Sequence, residues 1–106
     1  MKTAKISEMK LGWFIGDFSP SIYKTKDFEM AFKQYNKGDS EERHLHKVAQ
    51  EVTLIAKGKV RMNDIVYSEG DIILIDKGES TDFHALENTQ TVVVKFPSVI
   101  GDKYTV

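Results

Sequence analysis

The chain has 106 residues, with 15 Lys+Arg, 16 Asp+Glu and no cysteine. That length fits one domain with a self-sufficient core, and the lack of cysteine excludes disulfides, zinc–thiolate sites and thiol nucleophiles. A net charge of −1 removes the electrostatic case for a nucleic-acid partner.

Residues 1–10 are polar and lysine-rich and are expected to be loosely held. The longest apolar run near the N-terminus is Trp13-Phe14-Ile15, against the roughly 7–15 residues of a secretory signal core. No stretch approaches the ~18 apolar residues of a membrane span. A cytoplasmic setting without membrane contact is the expectation. Gly16–Ser21 reads as a turn.

Thr25–Gly38 supports two readings. Phe28, Ala31, Phe32 and Tyr35 form a helical stripe, with Asp27 placed to cap it and Gly38 to stop it. Phe28, Met30 and Phe32 also fit the alternation of a strand. From Glu51 onward strand signals repeat: Glu51–Lys57, Val60–Met62, Ile65–Tyr67, Ile72–Ile75, Thr81–Leu86 and Thr91–Phe96. Turn residues separate them, as in a sandwich or barrel. Several of these strands are apolar on both faces, so a second layer or a partner subunit must cover the outer one. A homodimer is expected.

The three histidines are His44, His46 and His84. On a strand, His44 and His46 project from the same face. Glu51 starts the next strand, so two histidines and a carboxylate come within reach of one cation. That set suits Fe(II) and also holds Mn, Ni, Cu or Zn. The same histidines also fit a solvated loop, flanked as they are by Glu41, Glu42, Arg43 and Lys47. Without metal, Glu51 inside a barrel would have a raised pKa and serve as acid or base.

The wider spacing is more informative. Gly38, five residues, His44-x-His46, four residues, Glu51, six residues and Gly58 together resemble the first signature motif of the cupin family at every fixed position. Gly70, Ile72–Ile75 and Gly78 resemble the second motif, with Asp76 where the family usually has proline. The resemblance covers about Phe28–Phe96 and makes residues 1–106 one cupin-like domain. It implies an all-β, antiparallel jelly-roll barrel with metal ligands inside one end. It also implies strand, not helix, over Phe28–Tyr35.

The second motif departs from the family at the last metal ligand. Thr81 stands where cupins usually place a histidine. His84 lies three residues further on, facing the opposite side of a regular strand. A bulge around Glu79–Asp82 would be needed to turn it inward. His84 is thus a tentative fourth ligand, with Asn88 completing a family-like spacing after it. Parity places Thr53 and Ile55 beside Glu51, and Phe83 beside Thr81. Tyr35 could add a hydroxyl to the same pocket.

Neither G-x-S-x-G, nor a P-loop, nor G-x-G-x-x-G is present. Three functions follow as expectations. The first is a metal-dependent protein holding a divalent ion (Fe, Mn, Ni or Zn) on His44, His46 and Glu51 and acting on a small polar molecule. The second is metal-independent sugar chemistry, since His44-x-His46-Lys47 is similar to the sugar-nucleotide ketoisomerases of the cupin superfamily. There the histidines act as acid and base. Those enzymes tend to carry glutamine where this chain has Glu51. The third is a module that binds a small ligand and catalyses nothing.

Overall fold

The structure is a computed structural model that describes all 106 residues. After a short 3-10 turn at Ile6–Glu8, the chain is almost entirely antiparallel β-structure. Ten strands follow: β1 Trp13–Ile15, β2 Glu29–Tyr35, β3 Ser40–Leu45, β4 Gln50–Lys57, β5 Lys59–Met62, β6 Ile65–Ser68, β7 Ile72–Ile75, β8 Thr81–Ala85, β9 Thr89–Phe96 and β10 Tyr104–Thr105. They form two five-stranded sheets, ordered β1-β2-β9-β4-β7 and β10-β3-β8-β5-β6. The sheets face each other as an all-β jelly-roll barrel.

Of the two readings of Thr25–Gly38, the strand is the one observed, as β2 over Glu29–Tyr35. The stripe that suggested a helix is divided between the two faces of the sheet. Ala31 is fully buried and pairs with Val93, whereas the next residue, Phe32, takes the other face and pairs with Val92. Glu29, Ala31, Lys33 and Tyr35 therefore point into the barrel, and Met30 and Phe32 point out of it. The usual sense of the alternation is inverted here, with charge inside and apolar groups outside.

Register then organises the interior into layers. Tyr35 lies opposite Thr89. The next layer is Lys33, Thr91 and Ile55, and the one after it Ala31, Val93, Thr53 and Ile73. The last is Glu29, Lys95, Glu51 and Ile75. The apolar core sits toward the first layers, in Ile55, Val60, Met62, Phe83 and Ala85. Polarity rises toward the last layer, so the barrel has a dry end and a charged end.

Two turns show why the sequence folds this way locally. Asn63 and Asp64 both have positive φ and connect β5 to β6, as a tight hairpin requires. Gly58, between β4 and β5, has φ +97, and a Cβ there would lie 2.5 Å from Asn88 O and from Thr89 Oγ1. Only glycine fits that approach, which accounts for the last glycine of the first motif.

The outer face of the first sheet is apolar in two registered rows: Met30, Val94, Val52 and Leu74, then Phe32, Val92, Leu54 and Ile72. Ile72 and Leu74 are 69% and 59% exposed. The second sheet covers only the inner face.

Candidate functional site

The charged end of the barrel opens into a cavity of about 470 Å³. Its wall includes His44, His46, Glu51, Tyr35, Thr53, Thr81 and Phe83. Of the residues placed at the site from sequence, His84, Ile55, Asn88 and Lys47 are absent from this wall, and the others meet in one pocket.

β3 brings in a group that parity does not anticipate. Ser40 and Glu41 pair with His84 and Phe83, but His44 pairs with Thr81, and the register shifts between Glu41 and His44. This β-bulge places one extra residue on β3. Glu41 and His44 lie three apart and would face opposite ways on a regular strand. After the bulge both face inward, across from Phe83 and Thr81. The irregularity falls on β3 rather than at Glu79–Asp82, so β8 stays regular.

That regularity settles His84. Thr81, Phe83 and Ala85 are buried, and Asp82 and His84 take the other face. His84 Nε2 lies 3.5 Å from Asp82 Oδ2, in an outer network where Arg43 Nη1 also donates to Asn63 Oδ1 at 2.7 Å. The tentative reading of His84 as a fourth ligand is thereby corrected: it faces away from the pocket. Thr81 occupies the inner position, its hydroxyl donating to Asp82 O at 2.8 Å.

The His44 and His46 rings lie side by side, 5.2 Å apart and tilted by 34°. His44 Nδ1 is 2.9 Å from Glu42 O. A carbonyl only accepts, so Nδ1 donates here and Nε2 is the ring nitrogen left for another partner. His46 is buried, and its Nε2 has no protein partner. Burial, followed by the Lys95 charge, lowers its pKa. Lys47 lies outside the pocket, its ammonium 4.1 Å from the Tyr104 ring centroid. The local sugar-isomerase-like pattern is therefore only partly assembled at the site.

Glu29, Lys33, Glu41 and Lys95 complete the wall, and sequence reasoning passed over all four. Lys95 stands between Glu29 and Glu51 in the last layer. Its Nζ is 2.7 Å from Glu29 Oε1. Lys33 Nζ lies 3.5 Å from Glu41 Oε1, and the Tyr35 hydroxyl donates to Glu41 Oε2 at 3.4 Å. Both ammonium groups approach the Trp13 ring, at 5.3 and 5.0 Å from its centroid, within cation–π range. Burial raises the pKa of Glu51, while Lys95 opposes the rise. Burial and Glu41 push the Tyr35 hydroxyl well above its ordinary value, so it stays protonated and serves as a donor. Lys95 had a readable signal: a lone charge in Thr91–Phe96, at the parity of Thr91 and Val93.

Chemically, the pocket pairs a carboxyl that keeps its proton longer with an imidazole that gives it up sooner. Such groups can exchange a proton with a bound molecule. As a metal site the fit is partial. The two imidazoles are oriented, and one buried ring nitrogen is free. However, no three His, Asp or Glu side chains are gathered so as to hold a metal ion. Lys95 already sets a positive charge between the carboxylates of its layer.

No protein-family profile matches the chain, and no curated protein matches it by sequence. Solved structures do match. An uncharacterised conserved protein with a double-stranded β-helix domain from Klebsiella pneumoniae superposes with a TM-score of 0.70 at 21% identity, over 77% of this chain and 72% of that one. An RmlC-like cupin from Shewanella frigidimarina gives 0.66 at 14% identity, over 72% and 71%. Bacillus subtilis oxalate decarboxylase, described for its Mn(II) centres, gives 0.67 at 17% identity, over 77% of this chain but 25% of that one. The chain has the cupin fold, the double-stranded β-helix. No helix in it is long and apolar enough to cross a membrane.

Proposed function

We propose that the protein binds a small polar molecule in the charged end of its barrel, using side chains rather than a metal ion to hold it. One observation carries this reading: His46 and Thr91, which both line the pocket, each carry a buried polar atom, Nε2 and Oγ1, without a protein partner. A buried donor or acceptor left unmade costs about 1–3 kcal/mol. A polar ligand that reaches both atoms recovers that cost. His46 lies near the mouth and Thr91 two layers below Lys95. At about 3.4 Å per residue, those layers are roughly 14 Å apart along the strand, so a ligand that spans them is elongated rather than compact.

Electrostatics disfavours a bound metal ion here. A dication beside Lys95 would meet an ammonium already paired with Glu29.

A second reading places a divalent ion on His44 and His46 with Glu51 as third ligand. The contact of His44 Nδ1 with Glu42 O favours it, because a backbone carbonyl on Nδ1 is how metal-binding histidines present Nε2. Iron, manganese, nickel or zinc there would supply Lewis-acid or redox chemistry. Mn(II) in the oxalate decarboxylase neighbour makes manganese the first ion to test.

The direct test is a thermal-shift and NMR screen of monosaccharides, sugar nucleotides, dicarboxylates and Mn²⁺. A ligand at 100 times its Kd adds about 2.7 kcal/mol, equal to a rise of roughly 10 °C or more for a domain this size. The reading predicts such a shift with an organic ligand, lost in Thr91→Val and His46→Ala. A shift with Mn²⁺ alone would favour the second reading.

We also propose a homodimer through the outer face of the first sheet. Its support is the double row of apolar side chains ending at exposed Leu74 and Ile72.

A further inference from the structure

The segment after β9 makes the deepest polar contacts of any irregular stretch in the chain. Ser98 and Asp102 are each 5% exposed, while Ile100 between them is 78% exposed. The segment therefore arches outward between two buried feet, and Val99, Ile100, Gly101 and Asp102 line the pocket. Each foot is a polar side chain, and each reaches a different wall of the site.

The Asp102 foot holds the histidine wall. Its carboxylate accepts the backbone N–H of Lys47 at 2.8 Å, of Val48 at 3.1 Å and of Ala49 at 2.9 Å. These are consecutive amides in the turn that leaves His46. A concave run of N–H groups of this kind binds an anion, and here the chain supplies the anion itself. Burial alone would raise the pKa of Asp102, but the three N–H donors outweigh it and hold the carboxyl below its ordinary value. His46 O accepts from Gly78 N at 2.7 Å, and β10 pairs with β3 at His44 and Leu45. With Asp102 in place, hydrogen bonds hold the backbone on both sides of His46.

The Ser98 foot holds the opposite wall. Its hydroxyl donates to Glu29 Oε2 at 2.8 Å and accepts from Asp17 N at 3.0 Å. Glu29 Oε1 is the oxygen that pairs with Lys95. Ser98 thus fixes the rotamer that presents Glu29 to Lys95.

We propose that Ser98 and Asp102 are positioning residues and that the arch between them is part of the functional site. Asp102 sets the place of His46, and Ser98 sets the Glu29–Lys95 pair, each independently of the other. This holds whether the pocket takes an organic ligand or a metal, because it concerns the walls and not the occupant.

The test uses the full chain, ¹⁵N- and ¹³C-labelled, at fixed pH. With only three histidines, each ring signal can be assigned from single His→Ala variants. Asp102→Asn keeps the shape and one good acceptor but loses the charge. It is expected to shift the His46 ring signals and leave those of His84 in place. Hydrogen exchange at the amides of Lys47, Val48 and Ala49 should rise at least tenfold, with Ile55 and Val93 unchanged. Ser98→Ala should do the converse, moving the Lys95 side-chain signals while His46 and residues 47–49 stay as they were.

Unmoved His46 signals in Asp102→Asn would overturn the proposal. So would equal loss of protection across the whole chain, or failure of Asp102→Asn to fold, since Asp102 would then hold the fold rather than the site. If Ser98→Ala shifts His46 as Asp102→Asn does, the division between the two feet is wrong.

Discussion

Glu51 is the residue whose environment speaks most directly to chemistry. Burial holds its carboxyl above the ordinary range, so the native chain binds that proton more tightly than the unfolded chain does. The sign follows from linkage: the stabilisation is complete below the unfolded pKa and is lost as pH rises through the folded one. Glu51→Gln keeps the shape and cannot ionise. Its Tm should match the parent near about pH 4, where the unfolded carboxyl protonates, and exceed it at neutral pH. A constant difference across that range would show that burial does not act on this group. Lys95→Met should behave oppositely. It strands Glu29 in a largely buried site and should cost about 3–5 kcal/mol, the penalty for breaking a buried pair, measured by urea unfolding. Thr91→Val removes a buried hydroxyl with no partner. It should stabilise the free protein by about 1 kcal/mol while weakening ligand binding. That opposition of stability and function marks a site residue.

At the scale of the element, β2, β3 and β4 show what was legible and what was hidden. β4–β9 were readable because turn residues punctuate apolar runs, and the observed ends move by only a residue or two. β1 and β10 are too short to carry a period. β2 was ambiguous because its apolar residues fit both a helical stripe and a strand alternation, and neither pattern shows that Glu29 and Lys33 face inward. In β3 the spacing of His44 and His46 was visible, but the bulge that turns Glu41 inward leaves no trace in composition. The motif thus revealed one wall of the pocket, while the Glu29–Lys95 wall depended on register between distant strands. Gly58 offers a check at this scale. Gly58→Ala places a Cβ against Thr89 at positive φ and should destabilise by at least about 1 kcal/mol, read as a lower urea midpoint at unchanged m. A neutral substitution would mean that the β4–β5 turn relaxes freely.

For the whole molecule, the barrel separates its tasks by end and by face. The dry end supplies the core, the charged end the pocket, and the outer face of the first sheet an exposed apolar surface. If that face pairs two copies, Ile72→Lys with Leu74→Lys should convert a dimer to a monomer in sedimentation velocity and leave the pocket's ligand response intact. A parent protein that sediments as a monomer would remove the proposal. The pocket's occupant decides the larger question, since organic ligand and metal make opposite demands on Lys95. The measurement that tests this most directly is metal content by elemental mass spectrometry, on untagged protein before and after soaking with manganese, iron, nickel and zinc, beside His44→Ala/His46→Ala. The account predicts substoichiometric metal in both proteins under all conditions. One equivalent of a single metal in the parent, absent from the double variant, would contradict it and establish the histidine pair and Glu51 as a metal centre.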